Sequence, residues 1–84
     1  MYSDSLVPLS QLNKGQKGTL EVMLAGRGLG SRLSALGLTP GAAVEMLQNY
    51  GRGPLIINVR DTHVALSRGM CRHLLVNIEN NNEQ

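Results

Sequence analysis

The sequence predicts a mainly β fold: a small β-barrel of about five short strands with one short α-helix and a further helical turn. Three observations carry that expectation. Apolar and polar residues alternate with period two over 17–24 and 55–60, the spacing of strands with one buried face. Ten glycines punctuate the chain, as the tight reversals between short strands require. Only one stretch, 29–36, carries a helical stripe. A small open sheet would leave exposed edges, so closure into a barrel is the natural architecture.

Residues 1–5 read as a frayed start. Leu6, Val7, Leu9 and Leu12 then form an apolar opening, with Pro8 holding it extended or in a tight turn. Asn13-Lys14-Gly15 is a turn signal. In the strand 17–24, Leu20, Val22 and Leu24 fall on one face, and Thr19, Glu21 and Met23 on the other. Gly26, Gly28 and Gly30 end it. Leu29, Leu33 and Leu36 follow at i, i+4 and i+7, one stripe of a helix. Gly37 stands where a left-handed cap belongs, with Leu38 returning onto Leu33, and Pro40-Gly41 turns the chain.

A strand over 43–50 comes next, then the loop Gly51-Arg52-Gly53-Pro54. Residues 55–60 form another strand, with Leu55, Ile57 and Val59 on one face. Asp61-Thr62 is a tight hairpin turn into a strand over 63–66. Residues 67–72 make one helical turn, and Leu74, Val76 and Ile78 mark the last strand. The polar tail 80–84 reads as disordered. The expectation is one domain over 1–84 with its core at about 6–78.

Composition narrows the function. A chain of 84 residues buries only roughly 60–65% of its unfolded surface, which leaves little room for a deep substrate cavity. The formal charge is +2, and the eight Lys and Arg residues are dispersed from Lys14 to Arg72, whereas nucleic-acid binders cluster them. Tyr2 and Tyr50 are the only Phe, Trp or Tyr residues, too few to stack bases or to line a groove for proline-rich peptides. No nucleic-acid partner is expected. Cys71 is the single cysteine, so no internal disulfide forms; a buried packing role is expected for it. The start carries no secretory leader, and runs such as Leu55-Ile56-Ile57 are too short to enter a bilayer. A cytoplasmic protein without membrane insertion is the expectation.

The motifs that would carry chemistry are incomplete. Gly26-Arg27-Gly28-Leu29-Gly30 lacks the third glycine of G-x-G-x-x-G and has no G-K-[ST], so it reads as a flexible turn. His63, Cys71 and His73 are the soft metal ligands besides the methionines, and Asp61 beside His63 is the carboxylate that a ferrous site would add. Their spacing implies no convergence, so neither metal nor cofactor is expected. Asp4, Glu21, Glu45, Asp61, Glu79 and Glu83 are dispersed without a paired motif, and Cys71 with His73 lacks an orienting group. An enzyme is not expected.

The segment Arg32-Leu33-Ser34-Ala35-Leu36-Gly37-Leu38-Thr39-Pro40-Gly41 resembles the RLxxLGxxPG signature of FeoA-type ferrous iron transport proteins. Its flanks agree: Leu9 to Gly15, Ala43-Val44-Glu45-Met46, Gly53-Pro54-Leu55 with Ile57 and Val59, and Val64-Ala65-Leu66. The resemblance runs over about 6–78. It departs at Ser67, where the family often has a basic residue, and at Cys71, where it often has alanine. The resemblance implies an SH3-like β-barrel that assists FeoB, the membrane ferrous iron transporter with a GTP-binding domain, and carries a family association with transition metal ions. The same fold forms the C-terminal module of DtxR-type repressors, but this chain has no helix-turn-helix segment.

On that reading the docking surface is the helix with its flanks, through Arg27, Leu29, Arg32 and Leu36, and the glycine-rich loop through Arg52. The alternatives are an RNA- or ribosome-associated SH3-like module and a metal-sensing interaction module. Pairing into a homo-oligomer stays open, with Leu74-Leu75-Val76 as an apolar edge for it.

Overall fold

The computed structural model describes residues 6–79; the frayed start and the disordered tail expected at 1–5 and 80–84 lie outside them. In chain order the elements are β1 (Leu6–Pro8), a 3-10 turn (Leu9–Gln11), β2 (Lys17–Met23), α1 (Arg27–Ala35), β3 (Ala43–Gln48), β4 (Leu55–Val59), β5 (Thr62–Leu66), α2 (Arg68–Cys71) and β6 (Leu74–Ile78). The strands form one antiparallel sheet in the order β1-β6-β2-β3-β4-β5. It has six strands rather than about five, because the apolar opening pairs as β1 against β6. No ladder joins β1 to β5 among the described residues, so hydrogen bonds do not close the sheet.

The sheet wraps one apolar core. Leu20, Met46, Leu55, Ile57, Val59, Leu74 and Val76 point into it from the strands, each fully buried. Leu33 and Leu38 enter from α1 and its exit, and Leu9, Leu12 and Cys71 from the 3-10 region and α2. No polar or charged residue is buried among the described residues. Burying one such leucine is worth about 1.5–3 kcal/mol, so the short strands hold together through this shared interior.

Two strands depart from simple alternation. In β2 the register shifts between Leu20, opposite Val76, and Val22, opposite Leu75. Glu21 is thus the extra residue of a bulge, and Met23, opposite buried Leu74, packs against the core instead of Val22. Leu24, expected on the buried face, is 60% exposed. A period of two holds only while no residue is inserted, and the inserted residue resets the faces. A second shift, between Met46 and Gln48, places the same feature in β3, which ends two residues before the expected 50.

The turn chemistry is as expected at α1. Leu38 N–H donates to the Leu33 carbonyl at 3.0 Å and Gly37 N–H to that of Ser34 at 2.9 Å, both bonds of a Schellman cap. Gly37 has φ +98°, which favours glycine, and a Cβ there would also displace the Arg60 side chain, whose Cδ would lie 2.9 Å away. Leu36, placed in the buried stripe by its spacing, is the C-cap and is 43% exposed. The β4–β5 hairpin turns one residue earlier than expected, at Arg60-Asp61, whose φ values are 52° and 63°. Both central residues are left-handed, as a two-residue type I′ turn needs, so β5 begins at Thr62. Leu74-Leu75-Val76 is no edge, because β6 lies between β1 and β2.

Candidate functional site

The polar surface is best understood from where carboxylates are missing. Residues 25–37, 49–54 and 67–73 contain Arg27, Arg32, Arg52, Arg68, Arg72 and His73 and no Asp or Glu. The acidic residues among those described, Glu21, Glu45, Asp61 and Glu79, lie on β2, on β3, in the β4–β5 turn and just after β6. Five of the eight Lys and Arg residues thus fall in carboxylate-free stretches, whereas Lys17 shares β2 with Glu21 and Arg60 stands beside Asp61 in the β4–β5 turn.

The contacts show which of these segments meet. Asn49, at the end of β3, donates from Nδ2 to the carbonyls of Ser10 at 3.1 Å and Leu12 at 2.7 Å. Its Oδ1 accepts from Gly51 N–H at 3.0 Å and from Arg68 Nη2 at 2.9 Å. One side chain thus ties the 49–54 loop to the 3-10 region and to α2. The loop reverses through Gly51 and Gly53, at φ 87° and 77°, and it exposes Tyr50 (77%), Arg52 and Pro54. Ser67 caps α2, its hydroxyl accepting from Met70 N–H at 3.3 Å. Beyond α2, the His73 carbonyl accepts from Leu24 N–H at 2.7 Å, which brings the exit of β2 to the far end of the same short helix.

The five expected docking residues divide between two places. Arg27 and Arg32 are exposed on α1, Leu29 is half-buried against the core, and Leu36 is exposed at the C-cap. At about 100° per residue, Arg27 and Arg32 stand about 140° apart around the helix. Leu29, Arg32 and Leu36 therefore share one flank of the buried Leu33, and Arg27 lies on the other. Arg52 is exposed on the loop that Asn49 holds to α2. Leu24, Tyr50, Arg68 and Arg72 were not singled out by sequence reasoning. The signal that would have found the cations is the carboxylate-free windows themselves; Leu24 was hidden by the bulge.

The ligand-type residues do not fit a metal. Cys71 is fully buried; burial pushes its thiol up from 9.0 to about 11, against a smaller downward pull from the Arg68 guanidinium. A thiol held protonated is neither nucleophile nor ligand. His63 and His73 are exposed on different elements, and no group of three His, Cys, Asp or Glu is placed to hold a metal ion among the described residues. An open groove of about 520 Å³ crosses the sheet surface, lined in part by Lys17, Thr19, Glu45, Asn58, Asn77 and Glu79; its charges are of both signs. No helix of the described residues is long and apolar enough to cross a membrane.

The fold and this surface define a small SH3-like β module. The FeoA domain family model matches residues 7–78, and the chain belongs to that family. It is 27% identical over 71 residues, 84% of this chain and 85% of the other, to the Methanocaldococcus jannaschii protein named Fe(2+) transport protein A. Among solved structures it resembles an iron uptake regulatory protein, FeoA, at 34% identity and TM-score 0.84, covering 88% of this chain and 99% of that one. It also resembles the zinc-complexed FeoA of Stenotrophomonas maltophilia, described as a procaryotic SH3 domain protein, at 26% identity and TM-score 0.73, covering 88% and 96%. The SH3-like fold implied by the signature is the fold found.

Proposed function

We propose that this chain is an accessory protein of ferrous iron uptake, a single domain that acts in the cytoplasm by docking on the cytoplasmic part of a FeoB-type transporter. The observation that carries the reading is the family match over 7–78. A basic, carboxylate-free surface on a fold of this size suits recognition of a protein better than turnover of a substrate. On this reading Leu29, Arg32 and Leu36 contact the partner along one flank of α1, and Arg27 and Arg52 act at the margins. Binding acts by stabilising one conformation of the transporter, because a ligand shifts an equilibrium only by its differential affinity.

The test is uptake of ferrous iron in cells that lack this gene but hold the transporter at normal level. Uptake should fall and return on complementation. An Arg32→Glu, Leu36→Asp variant should restore it poorly while folding normally by circular dichroism. Uptake that is unchanged by deletion removes the role in transport and leaves the fold.

A further inference from the structure

We propose that the face built by α2 and the two segments tied to its ends, the 49–54 loop and the exit of β2, binds an acidic polypeptide segment with apolar residues at its two ends. The inference rests on the docking reading above and names the chemistry of what is docked, through a surface other than the flank of α1. Its residues are Tyr50 and Arg52 at one end, Arg68 and Arg72 along α2, and His73 with Leu24 at the other.

Four features of this face point the same way. First, it is cationic and uncompensated: 49–54 and 67–73 hold three arginines and one histidine with no carboxylate. Second, its two most exposed apolar side chains lie at opposite ends. Tyr50 (77%) follows Asn49, which meets Arg68 at the start of α2. Leu24 (60%) is bonded to the backbone of His73 beyond the end of α2. Tyr50 is also the only Phe, Trp or Tyr among the described residues, and it is spent on the surface instead of the core.

Third, the loop is held in place before any partner arrives. The four hydrogen bonds of Asn49, at 2.7 to 3.1 Å, fix it to the 3-10 region and to α2. Tyr50 and Arg52 are thus presented at a reduced entropic cost of binding. Fourth, the Arg68 guanidinium is fixed in place: Nη2 donates to Asn49 Oδ1 at 2.9 Å, while its Nε is enclosed and out of a docked segment's reach. Exposed Tyr and Arg on a rigid support are the residue types that dominate protein interfaces. A nucleic acid would find the charge but only one stacking platform, where strand binding uses several.

The probe is a fluorescein-labelled random copolymer of glutamate and tyrosine, titrated by fluorescence anisotropy. Polyuridylate of matched charge serves as the competitor class. The copolymer should bind, and amide shifts in an NMR titration should concentrate in 24, 49–54 and 67–73. An Arg52→Glu, Arg72→Glu variant should weaken binding at least about tenfold, and Tyr50→Ala about three- to tenfold. Arg60→Glu, a charge change in the turn that joins β4 to β5 at the ends away from the 49–54 loop and α2, should leave it within about twofold. Asn49→Gln, which keeps the charge pattern and frees the loop, should weaken binding with the fold retained by circular dichroism.

Equal loss from Arg60→Glu would mean net charge alone, and would overturn the site. Polyuridylate binding as tightly as the copolymer, or no binding of the copolymer at all, would do the same. The transport reading stands or falls separately, on the deletion and its complementation. Dependence of uptake on the gene with no copolymer binding removes this face alone.

Discussion

Two polar tethers hold this fold's irregular segments, and they are built differently. Arg60 reaches from the β4–β5 turn to the Gly37 carbonyl and Thr39 Oγ1, both at 3.3 Å and both exposed. Asn49 reaches from β3 to four groups on three segments at 2.7 to 3.1 Å, three of the bonds part-buried or between distant parts of the chain. The first secures the end of α1, which already has its Schellman cap. The second is the main polar link shown between the 49–54 loop, the 3-10 region and α2. Water can replace an exposed bond, whereas a part-buried carbonyl deprived of its donor stays unpaired. The 49–54 loop is therefore the segment that depends most on a single side chain.

The comparison breaks most readily at Asn49. Asn49→Ala should cost about 2–3 kcal/mol, because it removes four hydrogen bonds and leaves the Ser10 and Leu12 carbonyls without their donor. Urea unfolding measures it; a loss under about 1 kcal/mol would mean that water substitutes for the amide. Arg60→Met sharpens the other side. It keeps an apolar stem over Gly37 and removes two long, exposed bonds, so the same measurement should return about 0.5 kcal/mol or less. A cost equal to that of Asn49→Ala would erase the distinction drawn here.

The smallest effect at neutral pH belongs to Cys71, beneath the Asn49 side of the molecule. Its thiol keeps its proton to about 11 in the fold, against 9.0 ordinarily. The unfolded chain ionises first, so this contribution to stability is fully present below about pH 9 and is lost as pH rises through about 11. Between those values the wild type should lose stability more steeply than Cys71→Ala, and the two slopes should coincide below pH 8. Urea midpoints across pH 7–11 read this; parallel slopes throughout would show that burial does not hold the proton.

How much could be read in advance depended on the range of the forces involved. The cap at Gly37, the turn at Pro40-Gly41, the alternating burial of Leu55, Ile57 and Val59, and the short α2 behind Ser67 are local consequences of residue type and spacing. Each appeared as expected. The failures were also systematic. Val22, Leu24 and Leu36 were assigned to buried faces by period alone. The bulge at Glu21 and the C-cap at Leu36 are decided by what the partner strand and the barrel interior accept. Leu74-Leu75-Val76 looked like an edge because strand order is invisible in a linear chain.

The docking residues followed the same rule. Arg27, Leu29, Arg32, Leu36 and Arg52 were legible as helix and loop residues with suitable chemistry. That Arg27 and Arg32 lie on opposite flanks follows from helix geometry once α1 is oriented by Leu33. That Arg52 belongs with α2 follows only from Asn49, whose partners Ser10, Leu12 and Arg68 are 39, 37 and 19 residues away.

By itself, then, the sequence determined the mainly β class, the signature with its cap and turn, the family likeness, and the want of a paired catalytic motif. These are set by backbone preferences and by contacts a few residues apart. Tertiary structure alone decided the strand order, the bulges, the burial of Cys71, and the joining of the Arg52 loop to Arg68 of α2 through Asn49. Those depend on pairings across tens of residues. Their free energy comes from a shared apolar core, which exists only when all six strands are in place.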